Sequence, residues 1–345
     1  MSFHRRTVAP AAVALVAALG ALALAAGPQP SDLPPALERV LVGDLRFSAG
    51  DLEDLAHGRV VKHTLPAAAG AVAAVGGVLI HAPIDRFVDA YRDIVHFKKN
   101  ASVLEIGRFS TPPKPSDLDG LTITHEDVNL EDCRVGDCDI RLSAADIGRF
   151  AKEVDWHRPD ADGRAAALFK DILFEHVRAY MAGVRIAEYD DSSPPVRPLD
   201  RFESLLKSSP YIDEVLPGLA RHVASYPADP LPGTEDFLYW SKEKFGIAPF
   251  ISVTHVTLVP DGPHGLVLAT TRDVYSSRYF DASLALALAG RSVSDPQSFY
   301  LFYVNRSAAS ALRGAFARIR RAIVERRVKS SLDENLHAVR ARLER

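Results

Sequence analysis

The residues best suited to chemistry lie between positions 239 and 280, where acidic, basic and aromatic side chains are closely spaced. The densest group contains Arg272, Asp273, Tyr275 and Tyr279. Side chains alternate between the two faces of a β-strand, so the aspartate and the two tyrosines are predicted on one face, with Arg272 on the other. Asp273 could then orient a histidine while the tyrosines close over a ligand. The alternative is a structural ladder of cross-strand pairs that includes an Asp–Arg ion pair.

His255 lies in a second strand pattern, where it shares one face with Thr257 and with aliphatic residues. Histidine can act as a general base or hold the polar head of a ligand, so His255 and Asp273 supply the residue types of an acid/base pair. The alternative is a hydrogen-bonded histidine in the core. Ser276 or Ser277 would complete the residue types of a catalytic triad, but the chain has no Gly-x-Ser-x-Gly turn to present the serine.

Tyr239 and Trp240 precede these strands in a segment that resembles a capped helix. Thr234 suits its first cap and Gly246 its end, so the sequence predicts a helix over this segment. Its aromatic side chains either line the mouth of a cavity or pack into the core. The ligand-binding candidates are therefore His255, Thr257, Arg272, Asp273, Tyr275, Tyr279, Tyr239 and Trp240.

The first 25 residues have the three parts of a secretory signal. Arg5 and Arg6 precede an uncharged stretch rich in Ala, Leu and Val over 8–26, and Ala23-Leu24-Ala25 supplies the small residues that signal peptidase needs. Cleavage near Ala25 predicts an exported protein, either periplasmic or extracellular. The alternative is an uncleaved anchor, although a helix over 8–26, rising ~1.5 Å per residue, barely crosses the ~30 Å core of a bilayer.

Composition and motifs exclude several classes of protein. Removing Arg5 and Arg6 from 41 basic residues leaves 39 against 44 acidic ones, a net charge of about −5 that argues against a nucleic-acid-binding protein. The chain contains neither His-Glu-x-x-His nor a His-x-His pair, and it has no Gly-rich phosphate loop. No metal site and no cofactor are therefore predicted.

Cys133 and Cys138 are the two cysteines of the chain. In an oxidising compartment they are predicted to form a disulfide that closes a small loop and contributes about 2 kcal/mol. Free thiols or metal ligation remain alternatives, although a zinc site would require four ligands.

The order of elements predicts an α+β protein. Two short helices fall within a lead-in over 26–70, strand patterns follow at 75–81, 101–109 and 121–124, and a mainly helical insertion covers 126–245. Four further strands are predicted over Ile251–Val259, Leu266–Tyr275, Tyr279–Leu288 and Phe299–Asn305. The last of these is apolar on both faces, which indicates a strand covered on both sides.

Residues 307–345 are predicted to form a helical tail that a capping box at Ser331–Glu334 divides into two helices. A core-facing stripe is predicted from its apolar residues Leu312, Phe316, Ile319 and Ile323. The tail is also rich in arginine, which either contacts anionic phospholipid heads or forms a solvated face. These arginines are Arg313, Arg320, Arg321, Arg326 and Arg327.

Part of this order resembles the START-like, or helix-grip, superfamily. The resemblance lies in Val78-Leu79-Ile80-His81-Ala82-Pro83-Ile84-Asp85-Arg86-Phe87 and in the succession from Ile251 to Ile323, about half of the chain after the signal. It implies an antiparallel sheet around a long last helix, with a cavity for hydrophobic ligands between them. Three strings also resemble a family of secreted bacterial proteins that has no assigned activity: Cys133–Cys138, 239–243 and 275–280.

We therefore expect a signal over 1–25, a helical lead-in over 26–70, and a START-like domain over 71–345 that carries the insertion 126–245. The expected function is binding of an apolar or amphipathic small molecule, such as a lipid, between the sheet and the C-terminal helix. One alternative is a cyclase or hydrolase that uses His255 and Asp273. The other is a structural envelope protein without a ligand, which would expose an apolar patch on 163–225.

Overall fold

An antiparallel sheet is the framework of the chain, and helices cover both of its faces. The computed structural model describes residues 32–345 except 126, 128, 129, 247 and 315. The predicted secretory signal, 1–25, lies outside the described residues. Within the described part, no helix is long and apolar enough to cross a membrane.

The strands and helices are numbered in chain order. The strands are β1 (Val61–Thr64), β2 (Ala71–Ile80), β3 (Val103–Arg108), β4 (Glu235–Phe245), β5 (Ala248–Val259), β6 (Leu266–Ser276), β7 (Ala282–Arg291) and β8 (Phe299–Ala308). The helices are α1 (Pro35–Gly43), α2 (Ala49–Ala56), α3 (Asp85–Arg92), α4 (Ile94–Lys98), α5 (Ala144–Glu153), α6 (Ala161–Met181), α7 (Pro198–Lys207), α8 (Tyr211–Val215), α9 (Leu219–Ser225) and α10 (Ala317–Leu343).

The eight strands form one sheet in the order β1-β2-β8-β7-β6-β5-β4-β3, and every neighbouring pair is antiparallel. The predicted α+β class is confirmed. An antiparallel sheet with a long C-terminal helix is consistent with a helix-grip arrangement. We call the face that carries α3, α4 and α10 the inner face. The opposite, outer face carries α1, α2 and α5–α9.

Strand β8 shows why both faces need a cover. Tyr300, Phe302 and Val304 are buried in the outer core, whereas Phe299 and Leu301 are buried in the inner core. The predicted two-sided burial of this strand is therefore confirmed. The four strands predicted after position 250 are also confirmed, because β5 to β8 include most of each predicted range.

The segment predicted as a capped helix is instead strand β4. It pairs with β5 along its whole length, from Glu235 opposite Leu258 to Phe245 opposite Ala248. Gly246 does not end a helix; it follows β4 in a tight turn, where its φ of 67° suits glycine. Long-range pairing therefore outweighs the local capping pattern. The helices of the insertion end at Ser225, and no strand forms over 121–124.

Two further predictions about local structure are wrong. The lead-in is not wholly helical, because β1 follows α1 and α2. The tail is one helix through Ser331, and its apolar residues Phe316, Ile319 and Ile323 are exposed, although Leu312 is buried. The side chains of α10 that do enter the core are Leu332, Leu336 and Leu343.

The insertion is held to the sheet by its own apolar residues. Helix α6 buries Leu168, Phe169 and Leu173 in the outer core, and over 163–225 Val184 is the one large apolar side chain that is mostly exposed. If the insertion served for docking, it would expose an apolar patch. The described residues over 163–225 show no such patch. Cys133 and Cys138 form the predicted disulfide, which fits an exported protein.

Helix α10 sits close to β2 because the strand carries glycine at the contact. A Cβ on Gly76 would lie 2.7 Å from Cδ1 of Leu336 and 3.0 Å from the backbone oxygen of Val61. The absence of a side chain at Gly76 therefore lets the C-terminal half of α10 reach the strand.

We predict that Gly76→Ala lowers the free energy of unfolding by about 1–3 kcal/mol, because the added methyl group overpacks a contact that includes backbone. Urea unfolding provides the measurement. Gly148→Ala in α5 is the matched control: a Cβ there meets nothing within 4 Å, so stability should rise by about 0.5–1 kcal/mol. Equal stability of Gly76→Ala and the native chain would contradict the proposed role of this glycine.

Candidate functional site

The inner face is incompletely covered at the middle of the sheet. Along the central strands β6, β7 and β8, outer-face residues are almost all buried, but polar residues of the inner face remain partly exposed. These are Thr271, Asp273, Ser283, Tyr303 and Asn305. Their partial exposure shows that the helices leave this part of the inner face open to water. We call this site the inner recess.

Asp273 is the carboxyl group at the centre of the inner recess. Thr254 donates a hydrogen bond to its Oδ1 over 3.0 Å, and no described residue donates one to its Oδ2. Burial raises the pKa of Asp273 to about 7, which the Thr254 bond and the positive charge of Lys98 offset only in part. This carboxyl therefore changes charge near neutral pH, and one of its oxygens is available to a ligand.

Lys98 enters the recess from the end of α4 and is neutralised there. Its Nζ lies 2.5 Å from Oε1 of Glu243 and 5.8 Å from the ring centre of Tyr239. Burial acts to lower the pKa of Lys98, but Glu243 and Tyr239 raise it by more, so the amine stays charged. Burial likewise opposes ionisation of Glu243, yet Lys98 and Ser241 lower its pKa. The result is a closed ion pair with no spare positive charge.

Neutral hydroxyl groups complete the polar wall. Burial raises the pKa of Tyr303 to about 12 and also raises that of Tyr239, so both phenols keep their protons at neutral pH. Further along the inner face, Ser307 donates to Oδ1 of Asn305 over 2.9 Å. The recess thus offers donors and acceptors without a net charge while Asp273 is protonated.

Apolar surfaces bound the recess at both ends. At the α3 end lies the apolar inner core, which includes Phe87 and Val256. At the opposite end, aromatic side chains surround the β4–β5 turn, and their ring centres lie 5.1–6.1 Å apart. This aromatic end consists of Phe245, Phe250, Tyr279 and Phe280. Helix α10 forms a side wall, since Val328 packs on the inner core and Arg327 lies 5.4 Å from the ring centre of Phe245.

The predicted ligand residues divide between the two faces of the sheet. Asp273 and Tyr239 lie in the inner recess, and Tyr279 lies at its aromatic end. Tyr279 exchanges hydrogen bonds with the backbone N and O of Ala248, so its hydroxyl is already occupied.

His255, Thr257 and Arg272 lie on the outer face and belong to a different group. His255 and Thr257 both bond Oδ1 of Asp236, over 3.0 and 2.6 Å. Since Thr254 and His255 are consecutive, they project to opposite faces, and only Thr254 reaches Asp273. The predicted His255/Asp273 acid/base pair is therefore wrong.

A β-bulge explains why Asp273 and Tyr275 also separate. Val253 pairs with Tyr275 whereas Thr254 pairs with Asp273, which leaves Val274 as the extra residue. Asp273 thus faces inward, and Val274 and Tyr275 both enter the outer core. Arg272 lies opposite Asp273, as predicted, but the expected common face of Asp273 and Tyr275 is wrong.

Tyr275 and Trp240 are core residues of the outer face. The hydroxyl of Tyr275 donates to the backbone oxygen of Arg141 over 3.1 Å, and Nε1 of Trp240 donates to that of Asp117 over 2.8 Å. The space beside Tyr275 holds about 20 Å³, room for one water molecule. Neither residue lines a cavity that could hold a ligand.

Asp236 is the centre of the outer group and makes bonds with every nearby donor. Nε2 of His222 lies 3.0 Å from its Oδ1, in addition to the bonds from His255 and Thr257. Burial opposes ionisation of Asp236, but these three hydrogen bonds lower its pKa to about 2. On the far side of His255, its Nδ1 lies 2.9 Å from the hydroxyl of Tyr180. Both ring nitrogens of His255 are occupied, so we assign this group to stability.

Arg272 has the same structural role. Its guanidinium lies 4.1 Å from the ring centre of Phe202 and donates to the backbone oxygens of Val223 and Ala224. These contacts fasten α7 and α9 to the sheet. Burial lowers the pKa of Arg272, and Tyr180 and Tyr189 oppose this shift.

Sequence reasoning missed Lys98, Glu243, Thr254 and Tyr303. Lys98 and Tyr303 are separated by more than 200 positions. They come together only when the five strands from β4 through β8 are paired side by side. The alternation of β5 would have placed Thr254 opposite His255, and the alternation of Phe299–Val304 would have placed Tyr303 on the same face as Leu301. Because the segment of β4 was predicted as a helix, Glu243 was not assigned to a face of the sheet.

No protein-family model matches this chain, and no curated protein matches it. The described residues also contain no group of histidine, cysteine or acidic side chains arranged to hold a metal ion. The function must therefore be argued from the geometry of the site.

We predict that His255 contributes a rise in unfolding free energy between pH 5 and pH 6.5 and that His255→Gln removes this part of the pH dependence. Burial lowers the pKa of His255 in the folded protein, so below the unfolded value of 6.5 the unfolded chain gains a proton that the native ring does not hold. Each such proton changes the unfolding free energy by about 1.4 kcal/mol per pH unit. His176, whose pKa burial also lowers, contributes in the same direction, whereas Asp273, whose pKa burial raises to about 7, contributes in the opposite direction. Both contributions remain in His255→Gln.

The measurement is urea unfolding across this pH range. His264→Gln serves as the control because His264 is exposed, and its slope should equal that of the native chain. An unchanged slope in His255→Gln would show that this ring does not remain neutral in the folded state.

Proposed function

We propose that this protein acts outside the cytoplasm and binds an amphipathic small molecule with an uncharged polar head in the inner recess. The fold is proposed to be a START-like variant enlarged by α5–α9. The observation that carries the proposal is Asp273: a partly exposed residue on the inner face of the sheet whose Oδ2 has no partner among the described residues.

The charge of the recess selects the head group. Lys98, the cation that acts on Asp273, is already paired with Glu243 and is not free to balance a phosphate or carboxylate. Below pH 7, Asp273 is protonated and can donate one hydrogen bond to a carbonyl or hydroxyl oxygen. Tyr239 and Tyr303 are neutral donors at any physiological pH. An alcohol, ester or amide head group therefore fits better than an anion.

The two ends of the recess suit the apolar part of the ligand. Phe245 and Phe250 supply flat apolar surface at the aromatic end, and Val328 supplies aliphatic surface on α10. A ligand with its head at Asp273 and its tail along α10 would contact polar groups at its head and apolar side chains along its tail.

Acid/base catalysis in the same recess is a second candidate, favoured by the pKa of about 7 for Asp273. Catalysis would alter the covalent structure of the ligand, whereas binding would return it unchanged. The mass of a ligand recovered from the native chain, compared with that from Asp273→Asn, distinguishes the two functions.

We predict that the native chain retains a ligand that native mass spectrometry detects after incubation with a lipid extract. The double variant Asp273→Ala with Tyr303→Phe should retain at least roughly tenfold less, since two hydrogen bonds of about 1 kcal/mol each are lost. Asp162→Ala with Tyr300→Phe is the matched control: Asp162 is exposed and Tyr300 lies on the outer face of β8. A native chain that carries no ligand, or equal retention by both double variants, would refute the proposed site.

We also predict that retention weakens as pH rises through about 7. Ionisation of Asp273 removes its donated hydrogen bond and leaves a charge that the ligand would cover, so the protonated form binds better. The dissociation constant should rise between pH 6 and pH 8 in the native chain and stay level in Asp273→Asn. Stronger binding at pH 8 would indicate a cationic head group and contradict the uncharged one.

A further inference from the structure

The first half of α10 exposes apolar side chains that a solvated helix would not require. Phe316 is 74% exposed, Ile319 60% and Ile323 62%. Ile319 and Ile323 share one face of α10 because they are four positions apart. Phe316 is the N-cap of the helix, with a φ of 62°, and adds a third exposed apolar side chain at its start. Together the three residues form an exposed apolar ridge. We call it the α10 ridge.

The α10 ridge points away from the sheet. Ile323 and Leu332 are nine positions apart, which at about 100° per residue places them on opposite sides of the helix. Leu332 is buried against β2, where it lies next to Gly76. The ridge is therefore unpartnered within the described chain, because the opposite side of α10 makes the contacts with the sheet.

Positive charge surrounds the α10 ridge. Residues 313–329 carry seven Lys and Arg residues and one acidic residue, Glu325, although the whole chain has a net charge of −3. Glu325 pairs with Arg321, which also donates to the backbone oxygens of Ala67 and Ala71. Arg318 and Arg326 are exposed and form no ion pair with a carboxylate of the described residues. Both flank the apolar depression that contains Ile319 and Ile323.

We infer that the α10 ridge docks on an anionic lipid surface. An amphipathic helix with aromatic and aliphatic residues on one face and arginines beside them lies in the plane of the membrane interface. Its apolar side chains enter the acyl boundary while the arginines meet phosphate groups. Charge complementarity selects this partner, since a neutral protein surface would cover the ridge but leave Arg318 and Arg326 without counterions.

Docking would also bring the inner recess to the membrane. The same helix forms a wall of the recess, and Arg327 contacts Phe245 at its aromatic end. The inference stands apart from the proposed ligand, because an empty recess would leave the ridge and its charges unchanged.

Flotation with vesicles tests the inference on the chain purified after export. The native chain should float with vesicles of phosphatidylcholine mixed with phosphatidylglycerol, should stay behind with phosphatidylcholine alone, and should be released by high salt. Ile319→Ser with Ile323→Ser, and separately Arg318→Gln with Arg326→Gln, should each lower the partition constant roughly tenfold or more.

The control is Val184→Ser with Arg185→Gln, a mostly exposed aliphatic residue and its exposed arginine neighbour at the end of α6. It should float like the native chain, and all variants should keep the native unfolding midpoint because the changed side chains are exposed. Failure of the native chain to float on anionic vesicles would overturn the inference. So would equal losses in the control and ridge variants. A dimer that Ile319→Ser with Ile323→Ser dissociates, without flotation, would instead assign the ridge to a second copy of this chain.

Discussion

The strict alternation of side chains across a sheet covered on both faces is the constraint on which this structure depends. Each residue of the central strands must enter either the inner or the outer layer, and its neighbour must enter the other. Thr254 and His255 are adjacent in the chain, yet they belong to separate polar groups with separate roles. The bulge at Val274 is the one irregularity in the β5–β6 ladder. It sends Tyr275 outward and thereby keeps a bulky ring out of the inner recess.

The two polar groups meet the cost of burial in different ways. On the outer face Asp236 is ionised, and His222, His255 and Thr257 all bond to it, so its hydrogen-bonding capacity is used within the fold. On the inner face Asp273 has one hydrogen bond, and burial shifts its pKa toward neutrality instead. A fully bonded carboxylate stabilises a fold, whereas an incompletely bonded carboxyl in reach of water can respond to a ligand. This contrast, more than residue type, separates the functional candidate from the structural one.

Sequence patterns predicted the elements whose local and long-range preferences agree. The alternation of 251–305 predicted four strands correctly, and Cys133 and Cys138 predicted the disulfide. Prediction failed where local preference and pairing conflict. Thr234 and Gly246 resemble helix caps, but eleven residues between them gain a complete ladder with β5. For the same reason the sequence predicted only part of the inner recess. Asp273 and Tyr239 are recognisable as candidates by residue type, whereas Lys98 and Glu243 come together only when β3, β4 and α4 are in place.

Helix α10 shows how one element can serve a core and a surface at once. Its C-terminal half is fixed by Leu332, Leu336 and Leu343, and Arg342 donates to the carbonyl groups that end α4. Its N-terminal half touches the sheet through Val324, which packs on the cluster of Val72, and through the hydrogen bonds of Arg321, and it leaves the α10 ridge in water. The sequence predicts that the stripe of Phe316, Ile319 and Ile323 faces the core. Periodicity indicates that one face of a helix is apolar, but it does not indicate what covers that face. Since β2 already occupies the other side of the helix, burial of the ridge requires a surface outside the described chain. The arginines around it restrict that surface to one that carries negative charge.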